Sequence, residues 1–285
     1  MGTYLSAAVT PKLTGEGYNV RPPWVKYKMA IQDKAFLYAS NEIAALELAL
    51  SPERLKPYLI RAGGSRQKAI LIYERNTALS EALYGVTQAT EVALRNSIHR
   101  VLSSGFGSMW FDVVGLEAPQ SEKIEKAKFE IERSQRVVTS GGLVSELNLG
   151  FWTSLVSTRY EKTLWVPHLH KAFPHAIRVK RDARTGSDST TPLKRSEIFD
   201  QLERVRTLRN RIAHHESILR LDLGKMYAET LEALKWVCPT SAEWVRSTNC
   251  FPSRLHEKPL SYAPPRMPGP PQMPRPGMPI APAKA

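Results

Sequence analysis

Three side chains within nine residues offer the most direct chemistry in this sequence. In Leu208-Arg209-Asn210-Arg211-Ile212-Ala213-His214-His215-Glu216, the residues Arg209, Asn210 and His214 fall on consecutive turns of one helix. Asn210 and His214 are four apart and stack on one flank. A histidine exchanges a proton near neutral pH. An arginine holds a phosphate with paired donors and stabilises the charge that builds in a transition state. An asparagine orients the other two. Such a trio supports phosphoryl transfer without a metal, and an RNA substrate supplies its own nucleophile in the 2′-hydroxyl. His215 adjoins His214 but points about 100° away around the helix, so it and Glu216 rank second. The competing account is a plain helix end, with Asn210 and His214 satisfying terminal carbonyls and Arg209 paired with Glu203 or Glu216.

The helix that must carry these groups reads from Pro192 to His214, with Ile198, Leu202, Val205, Arg209 and Ile212 at steps of four, three, four and three. Arg209 therefore sits on the core-facing stripe. A guanidinium there is costly unless a counter-charge, hydrogen bonds or a wet groove receives it. The preceding stretch from Arg178 to Arg195 reads as a polar loop with six basic residues against Asp182 and Asp188, placing cations beside any bound phosphate backbone.

Further upstream, Ile70 to Leu102 lacks proline and repeats Leu79, Leu83, Val86, Ala93 and Ile98 at helical steps, with Gly85 as its one weak point. The segment from Ser121 alternates charge like an exposed helix opened by a capping box. Leu143 onward predicts a broken, aromatic-rich helical stretch, and a last helix lies near Leu223 to Val237. Strand signals are few, so the fold class is all-α. Residues 1–30 read as an N-terminal arm, 31–250 as the helical domain and 251–285 as a proline-rich, disordered tail. That tail holds 11 of the 21 prolines, which lack the amide donor that helices and central strands need.

The chain carries 40 Lys+Arg against 27 Asp+Glu, a net charge of +13 that favours polyanionic partners. Two cysteines exclude a disulfide framework and fit a reducing, cytoplasmic setting. Their spacing matches no zinc pattern, and His168-x-His170 alone is weak evidence for a metal. No cofactor or metal is expected. No secretory signal pattern opens the sequence, and no apolar run reaches the ~20 residues of a membrane helix. Trp110, Trp152 and Trp165 have the chemistry to stack bases, although aromatics at helical spacing more often fill a core.

The motif and its surroundings resemble the Abi-like proteins (the AbiD and AbiF type), a bacterial abortive-infection group within the HEPN superfamily. The resemblance runs from Leu50 to Trp236 through LSPERLKPYL, LIYERNTALSEALYGVTQATEVALRNSIHRVL, the FG..WF pattern of Phe106 to Phe111, LGFWTSLVS and LERVRTLRNRIAHHE. It implies a HEPN-type helical bundle with extra helices. Arg209 and His214 match the family's catalytic Arg and His, and Asn210 its polar residue. It further implies a metal-independent endoribonuclease leaving 2′,3′-cyclic phosphates, acting as a phage-defence toxin or effector. One motif per chain implies a homodimer with a composite site, and a small RNA or protein antitoxin is a candidate restraining partner. Two other functions remain open: a non-catalytic RNA-binding protein, and an interaction module of a defence complex.

A second run, Leu94-Arg95-Asn96-Ser97-Ile98-His99, also begins LRN, with a spacing one residue shorter than the family's minimum. Either Glu91 and Arg95 form an intrahelical pair that supports the bundle, or Arg95 and Asn96 line an RNA groove and brace Arg209.

Overall fold

The computed structural model describes residues 38–257 apart from 182, 183 and 185. The arm expected at 1–30 and the proline-rich segment beyond Glu257 lie outside the described residues. In chain order the helices are α1 (Ser40–Leu50), α2 (Pro52–Arg61), α3 (Arg66–Phe106), α4 (Ala118–Arg133), α5 (Ser140–Glu146), α6 (Leu149–Leu155) and α7 (Leu169–Ala172). A short hairpin, β1 (Ile177–Arg181) and β2 (Asp188–Pro192), precedes α8 (Arg195–Ala213), α9 (Leu223–Val237), α10 (Pro239–Thr248) and α11 (Phe251–His256). The described protein is mainly helical, as its periodicity predicts.

The organising element is α3, at 41 residues about 60 Å long. Proline is absent throughout, Ser65 caps its start by accepting from the Lys68 amide, and Gly107 ends it at φ 91°. Gly85 has a packing role: a Cβ there would lie 3.2 Å from Nδ2 of Asn249, whose amide donates to the Ala82 carbonyl at 2.8 Å. Buried hydroxyls on α3 are satisfied by backbone carbonyls, Thr90 by Val86 and Ser97 by Ala172.

Three apolar clusters use this one helix in turn. Its start packs Ala69 and Ile70 against Leu55 and Tyr58 of α2. Its middle packs Leu79, Leu83 and Val86 against Leu208 and Ile212 of α8 and Leu234 of α9. Its end packs Leu94, Ile98 and Leu102 against Ile198, Leu202 and Val205 of α8 and the aromatics around α6. Residue numbers rise along α3 as they fall along α8, so the two helices run antiparallel. Both cross from one cluster to the other at the same level, between Val86 and Leu94 on α3 and between Val205 and Leu208 on α8.

The three tryptophans belong to the core. Trp110, Trp152 and Trp165 are fully buried and donate through Nε1 to His99 Nδ1 and to the carbonyls of Leu147 and Leu155. Their size and paired indole N–H fit burial rather than base stacking.

Four local expectations are corrected. First, α4 starts at Ala118, before the expected capping box, and Ser121 Oγ donates back to the Leu116 carbonyl. Second, α8 starts at Arg195, because Pro192 closes β2. Third, the basic loop is an antiparallel hairpin paired from Ile177↔Pro192 to Arg181↔Asp188, with both strands exposed. Alternation of Ile177 and Val179 with Arg178 and Lys180, opposite a Thr pair, suits a ladder. Fourth, α11 falls in the stretch read as tail. Pro252 takes the start of a helix, where its missing N–H costs nothing, and Phe251 stacks on Tyr227 at 4.8 Å.

Candidate functional site

Arg209 lies near the C-terminal end of α8, at the level where both helices cross between clusters. Its Nε donates to Glu91 Oε2 of α3 at 3.1 Å, with the Arg209 side chain 30% exposed and Glu91 15% exposed. The core-facing guanidinium thus finds its counter-charge across the helix interface, rather than on Glu203 or Glu216. Glu203 accepts from Arg206 and from Thr153 of α6, and Glu216 is exposed. No hydrogen bond from the terminal nitrogens of Arg209 is present among the described residues, which leaves paired donors for an anion.

Asn210 is half-buried, and its carbonyl accepts from the His214 amide at 2.9 Å. His214 is the C-cap of α8 and exposed, with no side-chain hydrogen bond among the described residues. His215 follows at φ 55°. Its amide donates to the Ile212 carbonyl at 3.0 Å and that of Glu216 to Arg211 at 2.9 Å, which is the double bond of a Schellman stop. The sharp turn ends α8 immediately after the motif histidine. It is clamped from outside, because Arg54 of α2 donates to the His215 carbonyl at 2.7 Å and the buried Asn76 of α3 accepts from the Ile218 amide at 2.9 Å.

A histidine in the left-handed region bears a steric cost that glycine lacks. His215→Gly keeps the carbonyl that Arg54 binds, so it should stabilise the protein by about 0.5–1 kcal/mol, or about 2 °C in Tm. A drop in Tm in thermal melts would contradict the strain argument.

The second LRN run is divided by the fold. Arg95 is half-buried, and its Nε is buried without a hydrogen-bond partner. The expected Glu91–Arg95 pair does not form, because Glu91 is engaged by Arg209. Asn96 is exposed, about 100° further around α3 than Arg95. His99 belongs to the core edge, where its Nδ1 accepts from Trp110 Nε1 at 3.0 Å and its ring stacks on Phe111.

Burial lowers the His99 pKa below the usual imidazole value of 6.5. The neutral imidazole is therefore favoured in the folded state, and protonation of Nδ1 would remove the acceptor for the indole. The stabilising contribution is full above pH 6.5, the unfolded reference, and is lost as pH falls through the lowered folded value. Wild type should lose Tm between pH 7 and 5 more steeply than His99→Gln, which retains an acceptor and does not titrate. Parallel Tm–pH curves would remove His99 from this account.

Other features lie apart from the motif. The β1–β2 hairpin joins the opposite end of α8, about 20 Å from Arg209, so its cations reach only flanking segments of a ligand bound at the motif. A cavity of about 460 Å³ lined by Trp165, His170, Lys194 and Arg195 is at that same far end. Among the described residues no group of three or more His, Cys, Asp or Glu is placed to hold a metal, and no helix is long and apolar enough to cross a membrane.

Sequence reasoning missed Glu91 as the partner of Arg209, and Arg54 and Asn76 as the braces of the turn. Glu91 carried a signal, a carboxylate one turn before Arg95, but its partner depends on which helix packs opposite. No family model matches the chain, and neither a curated protein nor a solved structure matches it.

Proposed function

We propose that the chain is a metal-independent endoribonuclease of the HEPN type, acting as an abortive-infection toxin or effector. The observation that carries this reading is the setting of Arg209: a core-stripe guanidinium fixed through Nε by Glu91, with its terminal nitrogens unbonded among the described residues and an exposed His214 beyond it on the same helix. Arg209 would hold the scissile phosphate and stabilise its added charge. His214 would take the 2′-hydroxyl proton or protonate the leaving 5′-oxygen, giving a 2′,3′-cyclic phosphate and a 5′-hydroxyl. Asn210 would orient these groups. A homodimer is the simplest arrangement that supplies two motifs to one composite site, and a reducing cytoplasm fits the two free thiols.

The test is cleavage of end-labelled RNA in EDTA, reading for cyclic-phosphate ends, with sedimentation to determine the oligomeric state. One observation favours a second reading, an RNA-binding protein that does not cut: no side-chain bond among the described residues orients His214. Tight RNA binding without cleavage in any condition would select it.

A further inference from the structure

Near the level where α3 and α8 cross between their clusters, α3 carries Glu91 and, one turn on, Arg95, and α8 carries Arg209; one of the two guanidiniums is left without a carboxylate. Glu91 is used by Arg209 at 3.1 Å. Glu203, the next carboxylate along α8, is used by Arg206 and Thr153. Arg95 has no ion pair among the described residues, and its Nε is buried with no acceptor. A buried donor of this kind calls for a missing partner, and the cheapest partner for a cation is an anion.

Placement says where that anion would sit. Glu91 and Arg95 are four apart on α3 and share a face. Side chains lean toward a helix's N-terminus, which carries Arg95 back toward the turn that bears Glu91. Because α3 and α8 are antiparallel, this direction also leads toward Arg209 and Asn210 and away from the hairpin end of α8. Arg209, held by Nε alone, keeps its terminal nitrogens for the same anion.

We infer that Arg95 and Arg209 together form a two-guanidinium site for an RNA phosphodiester, and that Glu91 is the positioning residue that sets Arg209 for it. The inference rests on the proposed action on RNA but not on cleavage. A phosphodiester is favoured over a carboxylate of a second copy because the chain's excess charge is cationic, +13, and a phosphate offers oxygens to both forks.

The experiment uses the full chain and a 2′-O-methyl oligoribonucleotide, which cannot be cut, with anisotropy measured across a salt series. Arg95→Gln should weaken binding about tenfold and reduce the slope of log K against log salt by about one. Arg95→Lys keeps the charge but loses the fork, so it should restore the slope and only part of the affinity. Glu91→Gln should leave binding of this oligoribonucleotide within about threefold, and on unmodified RNA it should lower kcat more than it raises KM, since it loosens Arg209 without removing it.

If wild type binds this RNA but never cuts RNA, a weakened Arg95→Gln variant still upholds the site while the ribonuclease reading falls. If wild type cuts RNA and Arg95→Gln binds and cuts as wild type does, the site is overturned and the ribonuclease reading stands. Loss of self-association in Arg95→Gln with unchanged RNA affinity also overturns it, in favour of a second copy as the occupant. Should Arg95→Gln fail to fold, unchanged affinity in Arg95→Lys overturns the proposal.

Discussion

Arg209→Ala and His214→Ala should each lower the proposed RNA cleavage in EDTA by about 10³-fold relative to wild type, measured by the release of 2′,3′-cyclic phosphate ends. The two variants differ in what else they disturb. His214 is exposed at the helix C-cap without a side-chain bond among the described residues, so its truncation should cost stability within about 0.5 kcal/mol. Arg209→Ala strands the Glu91 carboxylate, 15% exposed, and should destabilise by about 1–2 kcal/mol. The double variant Arg209→Ala/Glu91→Gln removes that penalty and should remain inactive, which separates chemistry from folding. Undiminished cleavage by His214→Ala would end its assignment. Activity abolished by EDTA in wild type would point to a different reaction.

Trp152→Ala should destabilise the protein by about 4 kcal/mol. The indole is fully buried between Trp110, at 6.3 Å, and Phe151, at 5.1 Å, and its N–H is bonded to the Leu147 carbonyl at 3.1 Å. Truncation leaves a large cavity and an orphaned carbonyl together. Trp152→Phe keeps most of the ring volume and should cost about 1–2 kcal/mol, measured by denaturant titration. Folded Trp152→Phe should match wild type in the proposed RNA binding. Weakened binding at unchanged stability would place the indole at the ligand instead of in the core.

The helices were largely legible, because their signals are local. Absence of proline and apolar steps of three and four mark α3, α8 and α9, and the stripe Ile198-Leu202-Val205 marks the buried face of α8. The unusual position of Arg209 could be read from that same stripe. Its partner could not: Glu91 lies 118 positions away, and only the antiparallel crossing of α3 and α8 selects it. The hairpin was missed because its strands are short and wholly exposed, so no apolar run announces them. The turn after the motif was missed because a Schellman stop usually shows a glycine, and here a histidine occupies φ 55° under a clamp from Arg54.

The unbroken course of α3 through all three apolar clusters has a thermodynamic consequence. Regions that share a rigid element open together, and sub-global unfolding needs a break point that α3 does not offer between Val86 and Leu94. An anion bound at the crossing with α8 would contact the elements that both neighbouring cores share. Its binding energy would be added to the stability of the whole domain by mass action, instead of stiffening one end alone. In such a protein, occupancy of the site and resistance to unfolding are linked quantities, and either can be used to read the other.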